Sequence, residues 1–202
     1  VLRLARFWDP PDLKSHDVRV YGNDLFCQVL ASKLGLTLIS PDDDFLVKLS
    51  SEWLSRSVEI VTLDKARESR FPVFLKSAAP KIFTAGVYND VVELNRNCKK
   101  LPKDTPVIRS SIVEFAAEAR CFILDGKVLD CSIYEGTGNE KEAIDFLERF
   151  SQQTDLPDTV VVDIGYIKNV GWAVIEANAT WGSGLNGCKA ELIAPCIAHA
   201  SR

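Results

Sequence analysis

Asp125-Gly126 is the feature that most constrains this chain. It stands between two β-rich runs, Arg120–Leu124 and Lys127–Tyr134. Asp-Gly in that setting is a hairpin turn, because it tolerates the positive φ that a tight turn between strands demands. A second strand pair is predicted at Thr159–Gly165 and Trp172–Asn178, joined by a short loop around Lys168-Asn169. Further short strands are expected at Val58–Thr62, Phe71–Lys76 and Ile112–Phe115.

Helical signals lie between and around these runs. Thr137 and Glu140 fit a capping box, and Ala143, Phe146, Leu147 and Phe150 follow at helical spacing. A last helix is expected to bury Leu192, Ile193, Cys196 and Ile197. Near the N-terminus a β-α-β unit is predicted. Val18–Tyr21 is read as a strand, Asn23 as a helix cap and Gly35 as the stop, with Leu36–Ile39 returning as a strand. The expected class is α+β, with largely antiparallel sheets, flanking helices and a small β-α-β unit in front.

Composition removes several function classes. A chain of 202 residues has core enough to fold without staples, and its net charge of −4 argues against a grip on phosphate backbones. The basic loop Arg96–Lys103 carries no interleaved aromatics and reads as a solvated connection, like the charged segment Asp64–Arg70. No apolar run approaches the roughly 20 residues that cross a bilayer, and Arg3 and Arg6 interrupt any signal-peptide pattern. A cytoplasmic protein that binds neither membrane nor nucleic acid is expected. The six cysteines show no C-x-x-C pair and no zinc spacing, so buried reduced thiols are expected. Two histidines, His16 and His199, cannot build a multi-histidine metal site. Asp42-Asp43-Asp44 reads as a turn or the start of a helix near Phe45 rather than a cation site.

Gly182-Ser183-Gly184-Leu185-Asn186-Gly187 has the G-x-G-x-x-G spacing. A dinucleotide site also needs a second strand and an acidic residue about 20 positions on, and the sequence given stops at Arg202. That reading is therefore set aside. More telling are Asp163, inside the apolar run Val160–Ile164, and Glu176 with Asn178, two residues apart and so on one strand face. If the intervening loop keeps an even count, Asp163 shares that face. Two carboxylates and an amide are hard oxygen ligands suited to Mg²⁺. On the residues alone two readings stand: a metal site, or the surface face of an edge hairpin. Lys76, ending an apolar strand, and Arg120, with its planar fork, each read singly as solvent-exposed or as part of an ordinary ion pair, and together could hold phosphate oxygens beside such a metal.

In this order, FPVFLK, VEFAAEARCFILDGKVLDCSIY and VVDIGYIKNVGWAVIEANATWGSGLNG resemble the ATP-grasp superfamily, closest to its small bacterial clade. The resemblance covers about Phe71 to Arg202. It implies residues 1–66 as a reduced pre-ATP-grasp unit and 67–202 as the nucleotide-binding and catalytic region. It also implies that Lys76 touches the ATP phosphates, with Lys81 as a second contact. Glu114 would lie beside adenine and ribose, Arg120 would contact the γ-phosphate or an acyl-phosphate, and Asp163, Glu176 and Asn178 would carry Mg²⁺. Two departures stand out: Ser77 replaces the usual Pro after the lysine, and Ala78–Gly86 lacks a Gly-rich lid. The implied activity is an ATP-dependent carboxylate–amine or carboxylate–thiol ligase acting on small-molecule acids and amines. The alternative is an ATP-binding module without ligase activity that binds partners or aids assembly.

Overall fold

The computed structural model describes residues 2–4, 6, 8–13, 18–79 and 82–202. Its chain divides into two compact units, one formed by Val1–Pro41 with Phe115–Arg202, the other by Asp42–Glu114. Each is built on a four-stranded antiparallel sheet. No helix among the described residues is long and apolar enough to cross a membrane.

The unit that begins the chain carries α1 (Asp24–Leu34), capped by the Asn23 side chain and ended by Gly35 at φ 68°. Its flanking runs are not strands, contrary to the expectation of a β-α-β unit. They stay extended against the C-terminal residues, joined by one Leu38–Ser201 bridge and by the Val20 N–H donating to Ser201 Oγ. An extended segment without a neighbouring ladder has nothing to make it a sheet strand.

The inserted unit opens with two short helices, α2 (Phe45–Lys48) and α3 (Ser51–Leu54). Lys48 pairs with Asp42 and Asp44 at 2.7 Å each, so the aspartate run is a helix entry, as expected. The unit then runs β1 (Val58–Thr62), α4 (Leu63–Arg67), β2 (Val73–Ser77), β3 (Gly86–Tyr88), α5 (Val91–Cys98) and β4 (Pro106–Ser110), in sheet order β1-β4-β2-β3. The segment expected as a charged connection is in part α4. Thr62 caps it, and Leu63 and Ala66 are buried. The sequence-expected boundary at 66/67 falls inside this helix. The basic stretch begins as the last turn of α5 and becomes irregular only after Cys98. The core takes Val61, Val73, Leu75 and Val107 from the strands, with Leu94 and Cys98 from α5. Residues 111–115, which follow, are irregular rather than the expected strand.

The sheet of the first unit comprises β5 (Ala117–Leu124), β6 (Lys127–Gly136), β7 (Thr159–Ile167) and β8 (Gly171–Asn178), ordered β6-β5-β7-β8. The Asp125-Gly126 turn has φ 48° and 73°, as a tight hairpin requires. Helix α6 (Glu140–Gln153) packs against β6 and β8, and α7 (Ala190–His199) against β5, β6 and β7. Asn139, not Thr137, caps α6, accepting from the N–H groups of Lys141 and Glu142. Strand alternation directs Phe122 and Val161 toward α7, where Ile193 and Cys196 meet them. Ile123, Val160, Val162 and Ile164 point the other way and are equally buried, so both sheet faces are covered. Leu192 of α7 is exposed, contrary to expectation. Cys121 and Cys131, register partners on β5 and β6, form a disulfide. That corrects the expectation of thiols throughout. Cys27, Cys98, Cys188 and Cys196 are free and buried.

Candidate functional site

A row of charged and polar side chains crosses one face of the β6-β5-β7-β8 sheet. Arg120 on β5 is the register partner of Asp163 on β7, which in turn faces Glu176 on β8. The Arg120 guanidinium donates to both Asp163 oxygens, Nε to Oδ1 at 2.8 Å and Nη2 to Oδ2 at 2.6 Å. Its third contact is Nη1 to the Gly184 carbonyl at 3.1 Å. The Asn178 amide donates to Asp163 Oδ2 at 3.2 Å and to Glu176 Oε1 at 2.9 Å. One amide therefore ties the two carboxylates together.

The face depends on a register shift in the β7–β8 pair between Asp163 and Ile164. Beyond it Ile164 pairs with Val174, and Glu176 rather than Ile175 comes to stand opposite Asp163. The shift is a bulge, the usual device for re-aiming a side chain near a site.

The Asp163 side chain is only 3% exposed and that of Arg120 14%. Burial pushes the Asp163 carboxyl above the usual carboxylate range; Arg120 opposes this, while Glu176 and Glu118 reinforce it. Arg120 is shifted upward, chiefly by its bonds to Asp163, and stays charged. Three carboxylates (Glu118, Asp163, Glu176) thus stand beside one guanidinium in this row. Among the described residues no group of three or more His, Cys, Asp or Glu side chains is placed to hold a metal ion by itself. Two carboxylates plus an amide still fit Mg²⁺, which is usually held by one or two carboxylates together with substrate phosphates and water.

Of the residues singled out in the sequence, Arg120, Asp163, Glu176 and Asn178 come together here. Lys76 and Glu114 belong to the inserted unit. Lys76 lies half-buried on β2, register partner of Ile108, and Glu114 is exposed in the irregular segment after β4. Lys81 lies outside the described residues.

Sequence reasoning did not place three parts in this row. Glu118 shares the Arg120 face two residues upstream, and accepts a 2.6 Å hydrogen bond from the Tyr134 hydroxyl. Burial, followed by that bond, shifts the Tyr134 phenol strongly upward. The two-residue spacing could have flagged Glu118; Tyr134 is reached only through a register shift in the β5–β6 pair. The third is the glycine-rich segment, which lies along the same face. Gly184 supplies its carbonyl to Arg120, and a Cβ at Gly187, φ 94°, would run into Ser132.

Known proteins share this fold. A family model described as an ATP-grasp domain, the second family of its clade, matches residues 53–196. No curated protein matches the chain. Among solved structures, a RimK domain protein ATP-grasp from Sphaerobacter thermophilus DSM 20745 superposes with TM-score 0.53 at 16% identity, covering 71% of this chain and 58% of that one. The D-cycloserine synthetase DcsG gives TM-score 0.50 at 13% identity, covering 79% and 68%. The N5-carboxyaminoimidazole synthase from Aspergillus clavatus, in complex with ADP and 5-aminoimidazole ribonucleotide, gives TM-score 0.52 at 11% identity, covering 74% and 45%. The chain thus spans less than two thirds of the first of these relatives.

Proposed function

This chain belongs to that ATP-grasp domain family, and on that premise we propose that it is the nucleotide-binding and catalytic part of an ATP-dependent carboxylate–amine ligase. The observation that carries the reading is the joined set Asp163–Asn178–Glu176 beside the two-pronged Arg120. In the proposed reaction a substrate carboxylate oxygen attacks the γ-phosphorus and ADP leaves. An amine then attacks the acyl carbon and phosphate leaves. Neither step needs a covalent enzyme intermediate, so positioning and charge neutralisation are the protein's share of the work.

Arg120 turns from Asp163 to the phosphate oxygens, a match its planar fork makes with two parallel bonds. Asp163 is thereby released, and with Glu176 and Asn178 it would hold Mg²⁺. When bound, Mg²⁺ neutralises charge on the transferred phosphoryl group. Lys76 and Lys81 add positive charge at the phosphates, and Glu114 holds the adenine and ribose end. The Asn178 amide keeps the two carboxylates at a fixed spacing.

Mg²⁺-ATP is expected to raise the melting temperature, and ATP with EDTA is not. A ligand that binds only the folded state adds about 2.7 kcal/mol at a hundred times Kd. Equal shifts with and without the metal would end the assignment of Asp163 and Glu176. A second reading, nucleotide binding without ligation, is favoured by one feature: Ala78–Gly86 holds a single glycine, at its end, and so lacks a Gly-rich lid. ADP release that depends on an added acid, in a screen of amino acids and small acids, selects the ligase. Binding without turnover against any acid selects the module.

A further inference from the structure

A cavity of about 500 Å³ opens beside α6 and the tip of the β7–β8 hairpin. Tyr166 and Trp172 line it, and Tyr166 is three residues from Asp163, so strand alternation puts the cavity on the other face of the sheet from the Arg120–Asp163 row. It is a separate site within the same unit. Its volume is in the range of small-molecule sites, roughly 300–1,000 Å³.

The walls carry three kinds of chemistry. Tyr166 and Trp172, register partners on β7 and β8, meet edge to face with centroids 5.5 Å apart, giving an aromatic wall. From α6 come Glu142, Asp145 and Arg149, spaced three, four and seven residues apart so that they share one side of the helix. Among the described residues no ion pair joins Arg149 to either carboxylate. Arg149 Nε instead donates to the Asp145 backbone carbonyl at 3.4 Å, and Glu142 accepts from Asn139 at 3.0 Å. Opposite charges that share a wall without pairing are available to a ligand carrying both signs. The Trp172 indole N–H lies behind that wall, buried and without a hydrogen-bond partner among the described residues.

We propose that this cavity binds a zwitterionic amino acid with an apolar or aromatic side chain. The ligand's ammonium group meets Asp145 and Glu142, its carboxylate meets Arg149, and its side chain lies against Tyr166 and Trp172. A purely anionic ligand would leave the two carboxylates opposed, and a purely cationic one would leave Arg149 opposed. Only a ligand with both charges and an apolar arm uses every wall.

The test is calorimetric titration of the whole chain with each of the standard L-amino acids, without ATP. Saturable binding of apolar or aromatic members is expected, in the range of about 0.1–10 mM. Asp145→Asn and Arg149→Gln, both at exposed helix positions, should each weaken it about tenfold or more, the scale of one charge-assisted contact. Glu176→Gln, on the opposite face, should leave it unchanged. Three outcomes would overturn the proposal. The first is no saturation by any amino acid up to about 100 mM. The second is binding that survives both Asp145→Asn and Arg149→Gln. The third is binding lost in Glu176→Gln, which would assign it to the Arg120–Asp163 row. None of these results depends on whether the chain turns over ATP.

Discussion

The two sheets have four strands each and are antiparallel throughout, yet they bury their faces differently. In the inserted unit, β2 alternates: Val73, Leu75 and Ser77 are buried while Phe74 and Lys76 are only partly so. Its far face is covered in the middle and open at the β1 edge: Ile108 is 4% exposed, its β2 partner Lys76 is half-buried, and its β1 partner Ile60 is 39% exposed. In the other unit β7 is buried along its first seven residues, since α6 and α7 cover both sides. An acid placed in such a strand loses its water on every side. Asp163 therefore needs Arg120 and Asn178, whereas Lys76 on β2 keeps part of its access to solvent. The sheet of β5–β8 can hold charges in fixed positions, and the sheet of the inserted unit leaves its far face open only at the β1 edge.

The largest expected effect is from Arg120→Met. Removing one partner of a buried pair typically costs about 3–5 kcal/mol, because the other charge stays buried without compensation. Asp163 would then be raised further than burial already raises it. A carboxyl whose folded pKa lies above its unfolded value contributes stability that is fully present below the unfolded pKa and is lost as pH rises through the folded one. Urea melts of the variant should therefore show stability falling from acidic to neutral pH relative to the parent. A variant as stable as the parent at pH 7 would show that Asp163 does not depend on its partner.

Ile164→Ala should cost about 2–5 kcal/mol, since its side chain is fully enclosed between β7 and its neighbours. Glu176→Gln keeps shape and removes one charge. Turnover should fall on the order of 10²–10³ with the fold intact; unchanged ADP release would return Glu176 to an ordinary strand residue. The smallest effect belongs to the open β1 edge of the inserted sheet. Ile60→Thr should change stability by less than about 0.5 kcal/mol in the same urea melts. A cost like that of Ile164→Ala would mean that the Ile60 edge is covered after all.

What can be read in the sequence follows the same division. The strands of the β5–β8 sheet are legible because the Asp125-Gly126 turn and the apolar run Val160–Ile164 are local signals. The α6 stripe is legible for the same reason, although its cap lies two residues beyond Thr137, because capping depends on where the backbone turns. The extended runs around α1 have the apolar content of strands, but that content cannot say whether a neighbour exists to pair with. The candidate site residues Arg120, Asp163, Glu176 and Asn178 can be named from chemistry and family resemblance. Their direct bonding cannot, because β5 and β7 become neighbours only across a 14-residue helix, and sheet order is not written in any local window.

The extra residue in β8 has a wider meaning. With an unbroken ladder from Tyr166–Trp172, Val162 would pair with Glu176 and Asp163 with Ile175, which would turn both Glu176 and Asn178 toward the apolar side. The carboxylates meet only because the chain changes phase once, within the strand. An E-x-N triplet is thus half of an address, and the other half is parity. A one-residue deletion upstream could erase the site while leaving every polar residue in place, so comparisons within this family should count residues between motifs as carefully as they match them.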